Sequence, residues 1–372
     1  MQKQEDIIYI PFKTMESFMT DVLVASNIQY EDAKIISDVL IAADKQGIDS
    51  HGIGRLKSIY YDRIKDGVVN PITKIDIVKE TQTTAVLDAN NGMGHVASYR
   101  AMNIAIQKAK EFGMGMSAVT NSSHFGIAGY YAKMATVNGM IGIVGTNARP
   151  SVTPTFGVEN MLGTNPLTLG VPTDEEFDFI LDCATSISQR GKIEKYEREG
   201  KDTPPGMVID ESGKTRTDTS KILEDLVKGT AALTPLGGIG EETAGYKGYG
   251  YSVFVEILSA ALQNGPYMKM LNGFDENGQK IPYRLGHFFI AINTQFFMGE
   301  KIFRNIAGNI LRELRTSKKM PSESRIYTAG EKEYMTYLKR KDEGVPVNAA
   351  LKKQMIQMRD EKQLNYKFIF ES

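Results

Sequence analysis

Asp49-Ser50-His51-Gly52-Ile53-Gly54-Arg55 contains a Gly-x-Gly that goes no further, because the residue three places beyond Gly54 is Lys57. The same failure recurs at Gly92-Met93-Gly94, Gly113-Met114-Gly115, Gly238-Ile239-Gly240 and Gly248-Tyr249-Gly250. The G-x-G-x-x-G fingerprint is therefore missing, and no Walker loop replaces it. If a nicotinamide dinucleotide binds, it does so without the Rossmann signature. The heptapeptide also carries chemistry. His51 and Arg55 stand four residues apart, and a helical turn beginning near His51 would put both on one face. A proton-transfer group beside a fixed carboxylate clamp suits a 2-hydroxy or 2-keto acid, with Ser50 as a candidate substrate contact. A purely structural pair is the alternative reading.

Composition narrows the field. A chain of 372 residues suggests two domains, or one large core with a lobe. A net charge of −1 argues against nucleic acid as a partner, since neutralising phosphates needs a basic face. Cys183 is the only cysteine, so no intramolecular disulfide or cysteine-rich zinc site can form, and a reducing cytoplasm is the expected setting. No run approaches the roughly 18–20 apolar residues that span a bilayer. Met1–Asp6 lacks the basic start and apolar stretch of a secretion signal. No clustered His, Asp and Glu spacing points to a metal.

Periodicity predicts helices at both ends of the chain and a β-rich middle. Thr14 is a plausible N-cap for a stripe of Phe18, Val22 and Leu23; a second helix is expected over residues 31–46, and a third carries Arg55, Ile59, Tyr60 and Ile64 to Gly67. Strands are expected at 74–79 and 84–88, followed by a helix over 97–112. His95, at the start of that helix, reads as structural. From Met116 to about Ile292 short β runs dominate, at 141–145, 167–171, 177–181 and 287–292, separated by Gly, Pro and Asn. The last eighty residues return to helix, with Ile302, Ile306 and Ile310 spaced by four. The fold class is α+β: a middle domain, 116–294, held by helices from 1–115 and 295–372.

Four further segments are candidates for the site. His124 precedes a helix that Ser122 or Ser123 could cap, with Gly126 and Gly129 giving a small-residue face. Gly245-Tyr246-Lys247-Gly248-Tyr249-Gly250 opens a helix whose exposed N–H groups favour an anion, with Lys247 adding charge for a pyrophosphate. Asp182-Cys183-Ala184 ends an expected strand, where Asp182 either accepts a ribose hydroxyl or caps the next segment. Arg149, after the strand 141–145 and before Pro150, could meet a second substrate carboxylate, or lie exposed on its turn.

Together these segments resemble the malate/L-lactate dehydrogenase family that lacks a Rossmann fold. The resemblance runs in register over nearly the whole chain, through Asp49–Leu56, Ser123–Tyr131, Gly163–Pro166, Asp182–Ser186, Gly245–Ser252 and Ala329–Glu331. It implies a largely antiparallel NAD(P)-binding domain at 116–294, a helical substrate and dimerisation domain, and a homodimer. It implies that His51 is the acid/base and that Arg55 holds the substrate carboxylate, while His124 is the competing proton acceptor. Asp182, Cys183, Ala184, Gly330 and Glu331 would touch the dinucleotide, NAD first and NADP as the alternative. Malate/oxaloacetate is the leading substrate pair; lactate, sulfolactate, ureidoglycolate and cyclic imino acids are the rivals. A non-catalytic nucleotide sensor is disfavoured because His51, Arg55 and His124 are all present. The chain departs from the family at Tyr246, where histidine is common, and at Cys183, where methionine is common.

Overall fold

The computed structural model describes residues 7–371, so the Met1–Asp6 segment lies outside the described residues. Its strands are β1 (Ile8–Ile10), β2 (Asp76–Glu80), β3 (Thr84–Asp88), β4 (Met114–Ser122), β5 (Met140–Thr146) and β6 (Leu167–Val171). They continue with β7 (Phe179–Cys183), β8 (Val208–Asp210), β9 (Ala231–Leu233), β10 (Leu285–Asn293) and β11 (Val345–Val347). The helices are α1 (Phe12–Val24), α2 (Tyr30–Lys45), α3 (Ile53–Arg55), α4 (Asp62–Lys65), α5 (Gly94–Phe112) and α6 (Ala128–Thr136). After them come α7 (Arg190–Arg198), α8 (Thr219–Lys228), α9 (Gly245–Ala260), α10 (Glu300–Thr316), α11 (Glu331–Glu343) and α12 (Ala349–Glu361).

A mixed sheet of seven strands in the order β2-β3-β4-β10-β5-β6-β7 organises the chain, and only the β3–β4 pair is parallel. The central strand β10, Leu-Gly-His-Phe-Phe-Ile-Ala-Ile-Asn, is buried over most of its length, as a strand covered on both faces must be. His287, Phe289 and Ala291 alternate toward α5 and α6, where Ala101, Ala105, Tyr131 and Ala135 complete the core. Gly286 faces the other way, against α9, where a Cβ would lie 1.6 Å from the Ser259 carbonyl oxygen. Only glycine allows that helix to sit so close.

Two further cores flank the sheet. In one, Phe18, Ile36, Leu40, Tyr60, Met355, Met358 and Phe368 pack together, joining α1, α2 and α12. The β1–β11 pair, Ile8 opposite Val347, closes this unit. In the other, Val152, Ile193, Val208, Ile222 and Leu233 gather α7 and α8 around β8 and β9. The helices α7 and α8 were not expected in the β-rich middle. Among the described residues no helix is long and apolar enough to cross a membrane, and no cluster of His, Cys, Asp and Glu could hold a metal.

Three expectations shift against this architecture. The division at 115/116 passes through hydrogen-bonded neighbours, because β2 and β3, which precede it, pair into the same sheet as β4. Helix α1 starts at Phe12 after Pro11, ahead of the cap expected at Thr14. The strand expected at 177–181 runs from Phe179 to Cys183. The Thr173 N–H donates to the Asp178 side chain at 3.1 Å and its hydroxyl to the Phe177 carbonyl at 2.8 Å, holding those residues in the turn. That offset of two residues moves Asp182 from a turn into a strand.

Candidate active site

The His51 turn has little regular structure of its own. Gly52 breaks the backbone after His51, and α3 lasts three residues. What shapes it is Asp44 at the end of α2. Its carboxylate accepts the Ile53 N–H at 2.9 Å, and a Cβ on Gly52 would lie 1.8 Å from Asp44 Oδ1. Burial raises the Asp44 pKa to about 8. The Ser50 hydroxyl lies 2.9 Å from His51 Nδ1, and Arg55 Nε donates to the Ser50 carbonyl at 2.6 Å. His51 therefore does not start a helix shared with Arg55. The two side chains diverge around Ser50, His51 into a cavity of about 200 Å³ and Arg55 into a neighbouring one of about 730 Å³. Burial, followed by the Arg55 charge, lowers the His51 pKa to about 4.

His124 enters the same small cavity from the opposite side, its ring 5.8 Å from that of His51 and inclined by 23°. It lies in the loop between β4 and α6. Ser123 does not cap α6; its hydroxyl donates to the Gly92 carbonyl and accepts the Gly94 N–H, tying the loop to the start of α5. His124 Nδ1 accepts from the Tyr60 hydroxyl at 2.6 Å and from the Gly126 N–H at 3.3 Å. With Nδ1 an acceptor, the neutral ring carries its proton on Nε2. Burial and the neighbouring imidazoles and guanidinium depress its pKa well below the ordinary value. Tyr60 was not read as a site residue. It reaches His124 because residues Leu56–Tyr61 form a π-helical turn, a register change found often at functional sites and invisible to a 3.6-residue periodicity.

The remaining histidines lie in the core. His95 sits edge-on to Tyr60 with ring centroids 4.6 Å apart, and His287 stacks on Phe125, also at 4.6 Å. Burial lowers both to a pKa of about 3.

The small cavity meets a larger groove of about 680 Å³ at Ile48 and Asp182, which line both. Asp182 does not sit in a turn or cap the segment that follows it; it caps the first turn of α6. From its place in β7 it accepts the Gly129 N–H at 2.7 Å and the Thr168 hydroxyl at 2.9 Å. Ala184, Gln189, Asn147, Ala148, Thr164 and Pro166 complete the small cavity. Asn165 supports this wall by accepting the Ala148 N–H and donating to Glu256 on α9. Asp38, Tyr130, Arg304, Gly330, Glu333 and Tyr334 line the groove. Volumes of roughly 300–1,000 Å³ are usual for small-molecule and cofactor sites, and the groove falls in that range.

Other expected residues stand apart. Glu331 is buried, with its carboxylate turned to Arg325 and to the Thr328 N–H, so Glu333 lines the groove in its place. Gly248 has no room for a side chain because the Leu236 carbonyl lies 2.1 Å from where a Cβ would be; its glycine serves helix packing, and Gly248→Val would disturb the fold before any cofactor. Lys247 is exposed over the Tyr246 ring and reaches neither cavity wall. Cys183 directs its thiol toward the Leu167 carbonyl at 3.8 Å. Arg149 is exposed, with its guanidinium 5.8 Å from the Phe274 ring centre, while its neighbours Asn147 and Ala148 form the cavity wall.

Comparison with known proteins places this geometry. Residues 10–356 match the model of the malate/L-lactate dehydrogenase family. Malate dehydrogenase of Pyrococcus horikoshii is 42% identical over 343 residues, 92% of each chain. L-sulfolactate dehydrogenase of Methanocaldococcus jannaschii is 38% identical over 353 residues, 94% of this chain and 96% of its own. The crystal structure of malate dehydrogenase from Entamoeba histolytica superposes with a TM-score of 0.94 at 45% identity, covering 98% of this chain and 100% of that one.

Proposed function

The chain belongs to the malate/L-lactate dehydrogenase family and is an oxidoreductase acting on CH–OH groups; from that premise we propose that it interconverts malate and oxaloacetate with NAD, bound outside a Rossmann fold. The observation that carries this reading is the pair of histidines facing each other across a cavity that opens, at Asp182, into a groove of cofactor-site size. A bound nicotinamide supplies or takes the hydride at C2. His51, with Nδ1 engaged by Ser50, has Nε2 left to exchange the proton of the C2 oxygen. His124 offers its Nε2–H to that same oxygen. Arg55, which lies in the neighbouring cavity but whose charge reaches both rings, is assigned to the C1 carboxylate, a charge-assisted contact worth about 1.5–3 kcal/mol once the side chain swings to it. On the cofactor side the roles go to Asp182, Ala184 and the Gly330 backbone, with Glu333 in place of Glu331. Two features favour NAD over NADP. Asp38, Glu175, Glu176, Asp178, Asp182 and Glu333 face Lys45, Lys133 and Arg304 in the groove, and Arg304 is already engaged by Glu300 and the Thr173 carbonyl. A further phosphate there meets net repulsion. A single cysteine suits a cytoplasmic setting.

The test is a screen of NADH and NADPH oxidation with oxaloacetate, pyruvate, sulfopyruvate and a cyclic imine. Oxaloacetate with NADH is expected to give the highest kcat/KM, with NADH ahead of NADPH by about tenfold, or 1.4 kcal/mol. Arg149 is assigned to the second carboxylate. Its exposed contact with Phe274 is worth only about 0.5–1 kcal/mol, little enough for a dianionic substrate to draw it across. Arg149→Ala should lower kcat/KM for oxaloacetate about tenfold, with much less effect on pyruvate, because a carboxylate left unpaired costs a few kcal/mol. Equal losses on both substrates would remove the dicarboxylate assignment.

We assign the homodimer interface to α10. Ile302, Ile306, Ile310 and Leu314 form one stripe on this helix, each about half exposed, and Phe296, Phe297 and Met298 extend the apolar surface. Such a continuous patch is unusual on a monomer, and a second copy is the self-complementary occupant. Ile306→Glu is expected to give a monomer in sedimentation analysis; a dimer that persists at micromolar concentration would place the interface elsewhere.

A further inference from the structure

Helix α11 touches the site at two places. Gly330 at its N-cap, and Glu333, Tyr334 and Tyr337 within it, line the large groove. Its last turn carries Arg340, whose guanidinium donates to both oxygens of Asp49, at 2.5 and 2.9 Å, and to the main-chain carbonyl of Asp44 at 2.5 Å. These acceptors flank the bend that leads from α2 into the His51 turn. On the same helix Thr336 rests against Gly47, where a Cβ would lie 2.8 Å from its methyl group. The turn is thus gripped from two sides, by the Asp44 carboxyl beneath Gly52 and Ile53 and by Arg340 against Asp49 and the Asp44 carbonyl. Arg340 itself does not line the cavity shared by His51 and His124. Its side chain is 13% exposed, and it lies on the far side of the turn.

We propose that Arg340 is a positioning residue that fixes His51 and Arg55 for reaction, and that it makes their placement depend on how α11 is seated against the dinucleotide groove. The proposal rests on the roles given above to His51 and Arg55. The chemistry favours arginine specifically. A planar fork can hold the Asp49 carboxylate with two nitrogens and still reach a carbonyl, whereas an ammonium offers a single point of charge. Within the turn the His51 N–H donates to the Ile48 carbonyl and the Arg55 N–H to the Gly52 carbonyl, bonds that shape it locally without fixing it against α11; loss of the fork leaves the Asp44 carboxyl to tie it to α2. A misplacement of about 1 Å at reacting groups costs on the order of 10²-fold.

The experiment measures kcat, KM for oxaloacetate and Kd for NADH in Arg340→Met, Arg340→Lys, Asp49→Asn and the Arg340→Met/Asp49→Asn double variant, with His51→Asn as reference. Arg340→Met is expected to lower kcat by about 10–100-fold while the NADH Kd stays within about threefold, a split that general unfolding would not produce. Arg340→Lys should restore part of the loss. The double variant should be no worse than Arg340→Met, since both changes remove one interaction. If Arg340→Met fails to fold, Asp49→Asn and Arg340→Lys carry the test, with kcat losses of about 3–10-fold expected at unchanged NADH affinity. Activity within about twofold of wild type in the folded variants, additive losses, or a parallel loss of NADH binding would overturn the proposal. Full activity in His51→Asn would instead remove the role of His51 on which it depends.

Discussion

His51→Ala should lower kcat for oxaloacetate reduction by about 10²-fold or more, the range of a lost general acid. The expectation follows from the hydrogen bonds around the two rings. The Ser50 hydroxyl engages His51 at Nδ1, which leaves Nε2 toward the cavity. His124 has Nδ1 committed to Tyr60 and Gly126, so it presents a fixed N–H donor. His124→Ala should therefore raise KM more than it lowers kcat, and Tyr60→Phe should mimic it weakly. The pH dependence adds a sign. With its pKa lowered to about 4, His51 is neutral at pH 7, ready to accept the proton of an alcohol. As pH rises through neutrality, kcat/KM for malate oxidation should hold level with respect to this group. In the reductive direction it should fall, because less of the acid form remains. A large kcat loss in His124→Ala with a mild one in His51→Ala would exchange the roles, and two mild losses would take histidine out of the chemistry.

Acid should unfold this protein early. His95 and His287 are buried neutral with pKa values near 3, against an ordinary 6.5. Between those limits the unfolded chain binds protons that the folded chain refuses. Their contribution is complete above pH 6.5 and is lost as pH falls toward 3, at about 1.4 kcal/mol per pH unit for each group. Asp44 works in the opposite sense. Its raised pKa of about 8 favours the protonated form in the fold, so it regains about 1.4 kcal/mol per unit as pH drops from 8 toward its ordinary value. His51, lowered to about 4, and His124, depressed in the same direction, add to the loss. The unfolding free energy at pH 4.5 should lie below that at pH 6.5 by about 3 kcal/mol or more. Chemical denaturation at the two pH values measures the difference. In His95→Leu the slope with pH should flatten by about 1.4 kcal/mol per unit, whatever the variant's absolute stability, and an unchanged slope would mean that His95 takes up its proton in the fold.

Much of this was legible in the chain, for identifiable reasons. Short apolar runs bounded by Gly, Pro and Asn located β3, β5, β6 and β10 to within about two residues, because turn residues punctuate each buried strand. His51 and His124 were found because histidine is scarce and each sits in a glycine-bearing turn, and the fold brings both to one cavity. What stayed hidden depends on contacts distant in sequence. The Asp178 side chain holds the turn before β7, which moves Asp182 into the strand. Gly248 looked like a phosphate cradle, but the demand for glycine comes from Leu236, which no local pattern reveals. Arg55 and His51 were spaced for one helical face, and the Asp44 carboxyl beneath Gly52 cancels the helix. Neither the π-helical turn behind Tyr60 nor the reach of Arg340 over 291 residues to Asp49 has a periodic signature.

The β1–β11 pair also has a consequence for how the chain is made. The core that holds Phe18, Ile36 and Tyr60 is completed by Met355, Met358 and Phe368. During synthesis the first helices can lean on α5 through Met93 and Val96, but their core stays open until the segment with Met355, Met358 and Phe368 follows. The sheet, whose strands lie between residues 76 and 293, can form before then. The segment carrying Asp44, His51 and Arg55 is thus among the last parts of the molecule to be fixed, so the nascent chain gains a sheet well before it gains a catalyst. A protease pulse on stalled chains should accordingly cut near residue 50 long after it has ceased to cut within β4 or β5.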